Sequence, residues 1–156
     1  MEWHEGHGTH GGDHVHHGAQ TSDGGYIMTG QSWTEERGVD MLVVKTDAQG
    51  ALEWQRVVGQ SGAHDHGTYV VEVSDGFVVA GSITSEGVQQ RGLVKFKLDG
   101  AIDWMKTYPA PGHGSLRGID ITEDGGVVGT GYVGSHESGY LFICDDGDGS
   151  LLRTDA

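Results

Sequence analysis

Residues 53–81 read EWQRVVGQSGAHDHGTYVVEVSDGFVVAG, and the same wording stands on either side of them, as EWHEGHGTHGGDHVHHGAQTSDGGYIMTG at 2–30 and DWMKTYPAPGHGSLRGIDITEDGGVVGTG at 103–131. Trp3, Trp54 and Trp104 recur 51 and 50 residues apart, and Gly30, Gly81 and Gly131 do the same. A fixed period marks a repeat architecture, in which one supersecondary unit cannot bury its apolar face alone and stacks on its neighbours. The copies run approximately over 3–53, 54–103 and 104–156 of a single repeat domain. The histidine-rich opening, with His4, His7, His10, His14, His16 and His17, is therefore the first copy of a structural unit and not a tag.

Each copy reads as four short strands separated by turn residues. In the second copy they fall near 67–73, 77–83, 92–98 and 101–107. Asp75-Gly76 and Asp99-Gly100 supply reversals there, and Asp23-Gly24 and Asp124-Gly125 supply them in the other copies, because Asp and Gly tolerate the positive φ of tight turns. Nothing reads as a helix. The runs MLVVK (41–45) and YLFIC (140–144) are apolar at successive positions, which predicts strands covered on both faces. The fold class is all-β. Four antiparallel strands per copy fit a β-propeller blade, and they also fit a β-trefoil, in which three repeats complete the fold within one chain. Three blades alone do not close a ring, since propellers use about four to eight.

The stretch TSDGGYIMTG (21–30), followed by DMLVVKTDAQGALEWQRVVG (40–59), resembles the Asp-Gly-Gly propeller repeats of secreted bacterial and algal proteins. Their repeat runs as a DGG turn, an apolar strand ending in Gly, an apolar strand with Lys, an acid-Gly turn and a Trp strand. The resemblance covers nearly the whole chain. It implies that the strand before each DGG turn is the innermost of its blade, and that the loop leading into it opens at the mouth of a central channel, where propellers bind their ligands. It implies an extracellular or periplasmic location. On this pattern Arg153, in DGDGSLLRTDA, is expected at the tryptophan position of the last strand. Two chains are then expected to complete one six-bladed ring as a homodimer; a monomeric β-trefoil is the alternative.

The chain carries 23 Asp and Glu against 9 Lys and Arg, a net charge of −14, with the basic residues scattered. That field repels phosphates, so nucleic acid is not an expected partner, whereas cations are drawn in. Solubility alone is the simpler purpose for most of these acids. No apolar tract is long enough to cross a membrane as a helix. Met1 is followed by Glu2, Trp3 and His4, which is no secretory signal, so the protein is expected to be cytoplasmic or to have lost a leader. Cys144, the lone cysteine, reads as a small core residue.

The repeats also bring candidate metal ligands into register. Asp13-His14 falls on Asp65-His66, the third copy has Gly114-Ser115 there, and Gly12, His64 and His113 share the preceding column. In a strand, residues two apart face the same way, so His14 with His16, and His64 with His66, each offer two imidazoles to zinc, copper or nickel. Asp13, Asp65 or His10 would add a third ligand, and a bound water would complete the sphere. Three functions are expected from this. One is a metal-binding propeller module. A second is a metal-dependent hydrolase, lyase or hydratase, with His14, His16 and His66 as ligands and Asp13 or Asp65 as general base. A third is a structural or adhesion propeller in which the Asp-His pairs merely cap turns. His4, His7 and His10 read as solvated loop, His17 as packing, and His136 as surface. Trp33, unmatched in the other copies, is expected in a loop, stacking on a small-molecule or carbohydrate ligand or shielding an edge. Asp145, Asp146 and Asp148 lack the spacing of a calcium loop, and neither a phosphate-binding loop nor a serine nucleophile at Ser22 or Ser74 is supported.

Overall fold

Alternating apolar runs and Asp-Gly turns become twelve strands in the computed structural model, which describes residues 4–136 and 146–155. β1 (Gly12–Gln20), β2 (Tyr26–Thr34), β3 (Gly38–Thr46) and β4 (Leu52–Val58) form one antiparallel sheet, and the two-residue β5 (Ala63–His64) joins it parallel to β3. β6 (His66–Val73), β7 (Gly76–Ser85), β8 (Val88–Lys97) and β9 (Ile102–Tyr108) form the second sheet. β10 (His113–Ile121), β11 (Val127–Ser135) and β12 (Asp148–Arg153) form the third. The described residues contain no helix.

The turns follow from their residues. Thr21 NH donates to the Gly25 carbonyl, Gly24 takes φ of 88°, and the Asp23 carboxylate accepts from Thr21 Oγ1 and Gly25 NH. Thr122, Asp124 and Gly125 repeat the backbone bonds and the threonine contact in the third sheet. Each turn aspartate also receives a basic side chain from the third strand of its sheet: Lys45 Nζ reaches Asp23 at 2.8 Å, Lys95 Nζ reaches Asp75 at 2.6 Å, and Arg153 Nη2 reaches Asp124 at 2.5 Å.

That recurrence corrects the position expected for Arg153. It pairs with Val128 as Lys45 pairs with Ile27 and Lys95 with Val78, so it occupies the lysine position of a third strand and not the tryptophan position of a fourth. LLRTDA (151–156) repeats VVKTDA (43–48), with a longer segment between β11 and β12 than between β2 and β3. The expected strand YLFIC, Cys144 and Asp145 lie outside the described residues. Trp33 is likewise within β2, not a loop; it pairs with Gly12 and Val39 and is half exposed.

The sheets pack face to face in chain order. Ile27, Met41, Val43 and Trp54 of the first meet Val70, Phe77, Val79, Val94 and Phe96 of the second. The opposite face of the second, with Val78, Ala80 and Leu93, meets Leu116, Ile119 and Val127 of the third. Successive residues Met41 to Val44 are all fully buried, as the MLVVK run predicts. The two seams differ. Trp54 is wedged against Phe77 and Phe96, with ring centroids 5.9 and 6.1 Å away, and its Nε1–H donates to the Leu98 carbonyl at 2.9 Å. At the second seam the positions of Phe77 and Phe96 are held by Val127 and Thr154. Trp104 stays half-buried under the Lys106 ammonium, which lies 4.9 Å from its ring centre, beside a cleft of about 390 Å³.

Candidate functional site

The first strand of each sheet carries one extra residue where its register slips: His16 in β1, Thr68 in β6 and Arg117 in β10. Such a bulge bends the strand and presses it against its partner. Opposite stand Gly30, Gly81 and Gly131, where a Cβ would meet the carbonyl oxygens of His14, His66 and Ser115 at 1.8, 1.9 and 2.0 Å. The glycine column that marks the repeat is thus a steric requirement of the bulge.

The bulge residues reach the next sheet. His16 Nδ1 donates to the Gly67 carbonyl at 2.8 Å, and Thr68 Oγ1 donates to the Leu116 carbonyl at 2.7 Å, with the Ala80 carbonyl at 3.1 Å as a second acceptor. Gly67 and Leu116 hold the same register position, each paired to the column glycine of its sheet. One polar clasp therefore recurs from sheet to sheet.

His66 lies against this clasp, 5 % exposed. Its Nδ1 is 2.9 Å from Ser82 Oγ and its Nε2 3.5 Å from Ser115 Oγ, while the His16 ring stands edge-on with centroids 6.2 Å apart. Burial, helped by the nearby Arg117 charge and by His16 and His64, pushes its pKa down to about 3. Burial also lowers His16, partly offset by its bond to the Gly67 carbonyl; Arg117 and His14 lower it further. Both rings are neutral near pH 7, with a guanidinium close by.

The two aspartates of the repeated Asp-His pairs are occupied by backbone and side-chain donors of this chain. Asp13 accepts Thr9 NH at 2.6 Å and Thr9 Oγ1 at 3.1 Å; Asp65 accepts Gln60 NH at 3.0 Å and Thr84 NH at 2.5 Å. Burial raises the pKa of Asp65, against the pull of those bonds, and the neighbouring Asp40 charge adds to the rise. His14 and His64 lie close enough to His16 and His66, respectively, to lower their pKa values, but regular strand alternation does not hold between the members of either pair. The bulge at His16 interrupts the two-residue period after His14, which is exposed, and the chain passes from one sheet to another between His64 and His66. His10 is exposed. Among the described residues no group of three or more His, Cys, Asp or Glu side chains is placed to hold a metal ion.

The remaining imidazoles are mostly structural. His7 Nε2 donates to the Gly50 carbonyl at 2.9 Å, which fixes a ring expected in a solvated loop. His17 stacks on Tyr69 at 3.7 Å and accepts Val70 NH, in line with its expected packing role. His136 is exposed and bonded to Asp146. His113 Nδ1 accepts Gln89 NH at 3.1 Å beside a pocket of about 180 Å³ that His64, Thr84 and Gln89 also line. Sequence reading passed over Gln89 and Arg117, because no residue type recurs at either position: Arg117 stands where the other sheets have His16 and Thr68. Compared with known proteins, the chain matches no protein family, and no curated protein shows significant similarity to it.

Proposed function

We propose that this chain is a run of β-propeller blades serving as a structural or adhesion module, in which imidazoles clasp neighbouring blades together. Separate sheets stacked face to face in chain order are what blade packing looks like, and this arrangement favours blades over trefoil hairpins. The observation that carries the functional reading is the bond from His16 to the Gly67 carbonyl, repeated by Thr68 on Leu116. A histidine at a position where threonine does the same work in the next sheet is acting as a hydrogen-bond donor, and a threonine there would be no metal ligand.

A second reading keeps a transition metal, zinc, copper or nickel, at the seam between the first two sheets. The edge-to-face His16 and His66 rings favour it. Its catalytic form, a hydrolase, lyase or hydratase, needs a further ligand and a bound water. Metal analysis separates the two readings. Protein purified without nickel affinity and then titrated with zinc and copper is expected to retain no stoichiometric ion; one tightly held ion per chain, lost on His16→Ala, overturns the scaffold reading.

A further inference from the structure

The first two sheets each bracket the basic residue of the third strand between two acids. Lys45 pairs with Trp54 across β3 and β4, and Lys95 with Trp104 across β8 and β9. The acid one residue before each tryptophan reaches back to the ammonium, Glu53 to Lys45 at 2.8 Å and Asp103 to Lys95 at 3.7 Å, beside the turn acids Asp23 and Asp75. The third sheet shows half of this arrangement. Arg153 holds Asp124 and stands on β12, which among the described residues pairs only with β11. An edge strand offers its backbone NH and carbonyl groups to another chain. The sequence contains three acid-tryptophan pairs, Glu53-Trp54, Asp103-Trp104 and Glu2-Trp3, and Glu2-Trp3 is the one outside these two sheets.

The first sheet carries the surface that would receive a preceding sheet. A mainly apolar groove of about 350 Å³ is lined by Gly18, Tyr26, Met28 and Thr46. They hold the register positions of Val70, Phe77, Val79 and Phe96, the residues on which the first sheet packs in the second. Glu5 and His7 border the groove, and the bond from His7 Nε2 to the Gly50 carbonyl repeats the bond from Arg56 Nε to the Gly100 carbonyl, one repeat earlier. At the other end of the stack Leu151 pairs with Thr130 as the fully buried Val43 pairs with Thr29, yet Leu151 is mostly exposed. The two end surfaces are thus the two halves of a seam already present inside the chain. We propose that two copies exchange residues 1–7 reciprocally, each segment adding a fourth strand beside β12 of the other copy, with Glu2 on Arg153 and Leu151 over the groove at Tyr26 and Met28. A second copy as partner rests on the reading of the sheets as blades, whose imidazole clasps the metal titration tests separately.

Sedimentation velocity over a dilution series tests the exchange. Charge reversal is used in place of deletion, because an exposed ion pair contributes little whereas like charges set against each other repel. The wild type is expected to be a dimer. Glu2→Arg and Arg153→Glu alone are each expected to dimerise at least tenfold more weakly, since both contacts of such a homodimer oppose like charges. An equimolar mixture of the two variants is expected to regain wild-type affinity, because one contact of the mixed pair is native and the other is reversed. The double variant, with both changes in one chain, is expected to do the same, and it carries the test if a single variant does not fold. A monomeric wild type overturns the proposal. So do single variants that dimerise undiminished, or a mixture and a double variant that stay as weak as the single variants. Zinc retained at His16 would overturn the clasps and leave these outcomes unaffected.

Discussion

A histidine whose folded pKa is driven far below 6.5 is a stability element with a definite pH window. His66 is neutral when folded and becomes cationic in the unfolded chain as pH drops below about 6.5, so the unfolded state binds more protons there. Its contribution is complete above that pH and is lost as pH falls towards the folded value of about 3. The slope from this one group approaches about 1.4 kcal/mol per pH unit once well below 6.5. Urea unfolding midpoints followed from pH 7.5 to 4.5 should fall accordingly, and His66→Gln should flatten the profile; an unchanged slope in that variant would show that other groups carry it. This acid sensitivity has a cause that needs no metal. The reason the imidazole roles were not legible is specific. The acceptor of His16 is a backbone carbonyl 51 residues away, and a main-chain partner leaves no mark in the sequence.

Within each sheet, one basic residue ties the third strand to the first turn, but the burial of that tie varies. Lys45 is almost wholly buried and donates to Asp23, Glu53 and the Thr46 carbonyl, and those two acids hold it charged despite its burial. Lys45→Met should cost about 1.5–3 kcal/mol, the range for losing hydrogen bonds to charged groups, read from the denaturation midpoint. Arg153 and Asp124 are both more than half exposed, and Arg153→Met should leave the midpoint nearly where it was. Equal losses in the two variants would mean that exposure is not what sets the strength of this tie. Strand runs, Asp-Gly turns and the two-faced burial of β3 were all legible, because period, turn chemistry and apolar continuity are local signals. The third sheet was misread at Arg153, since spacing between β11 and β12 breaks the period and the lysine equivalent slid out of register with it.

Among the described residues the three sheets stack in order, so that the middle one is packed on both faces and each outer one on a single face; Val15 and Leu151, in the outer sheets, are 49 % and 72 % exposed. Apolar side chains at both ends of a stack favour association of copies, so the solution mass by light scattering should be twice the 16.6 kDa of the chain. A strict monomer would remove the paired-ring expectation. The two seams inside the stack are not equal in strength. Trp54→Ala removes a ring packed against the Phe77–Phe96 pair of the facing sheet and should cost about 3–5 kcal/mol, the range for a fully packed aromatic. Trp104→Ala, beside a cleft, should cost clearly less, and the reverse ranking would contradict the packing described. This asymmetry gives the molecule a hierarchy of opening. Backbone amides of β10, β11 and β12 should exchange with solvent deuterium ahead of those in β2, β3, β7 and β8, so a protease would make its early cuts on the far side of Trp104 while the aromatic wedge kept the other two sheets joined.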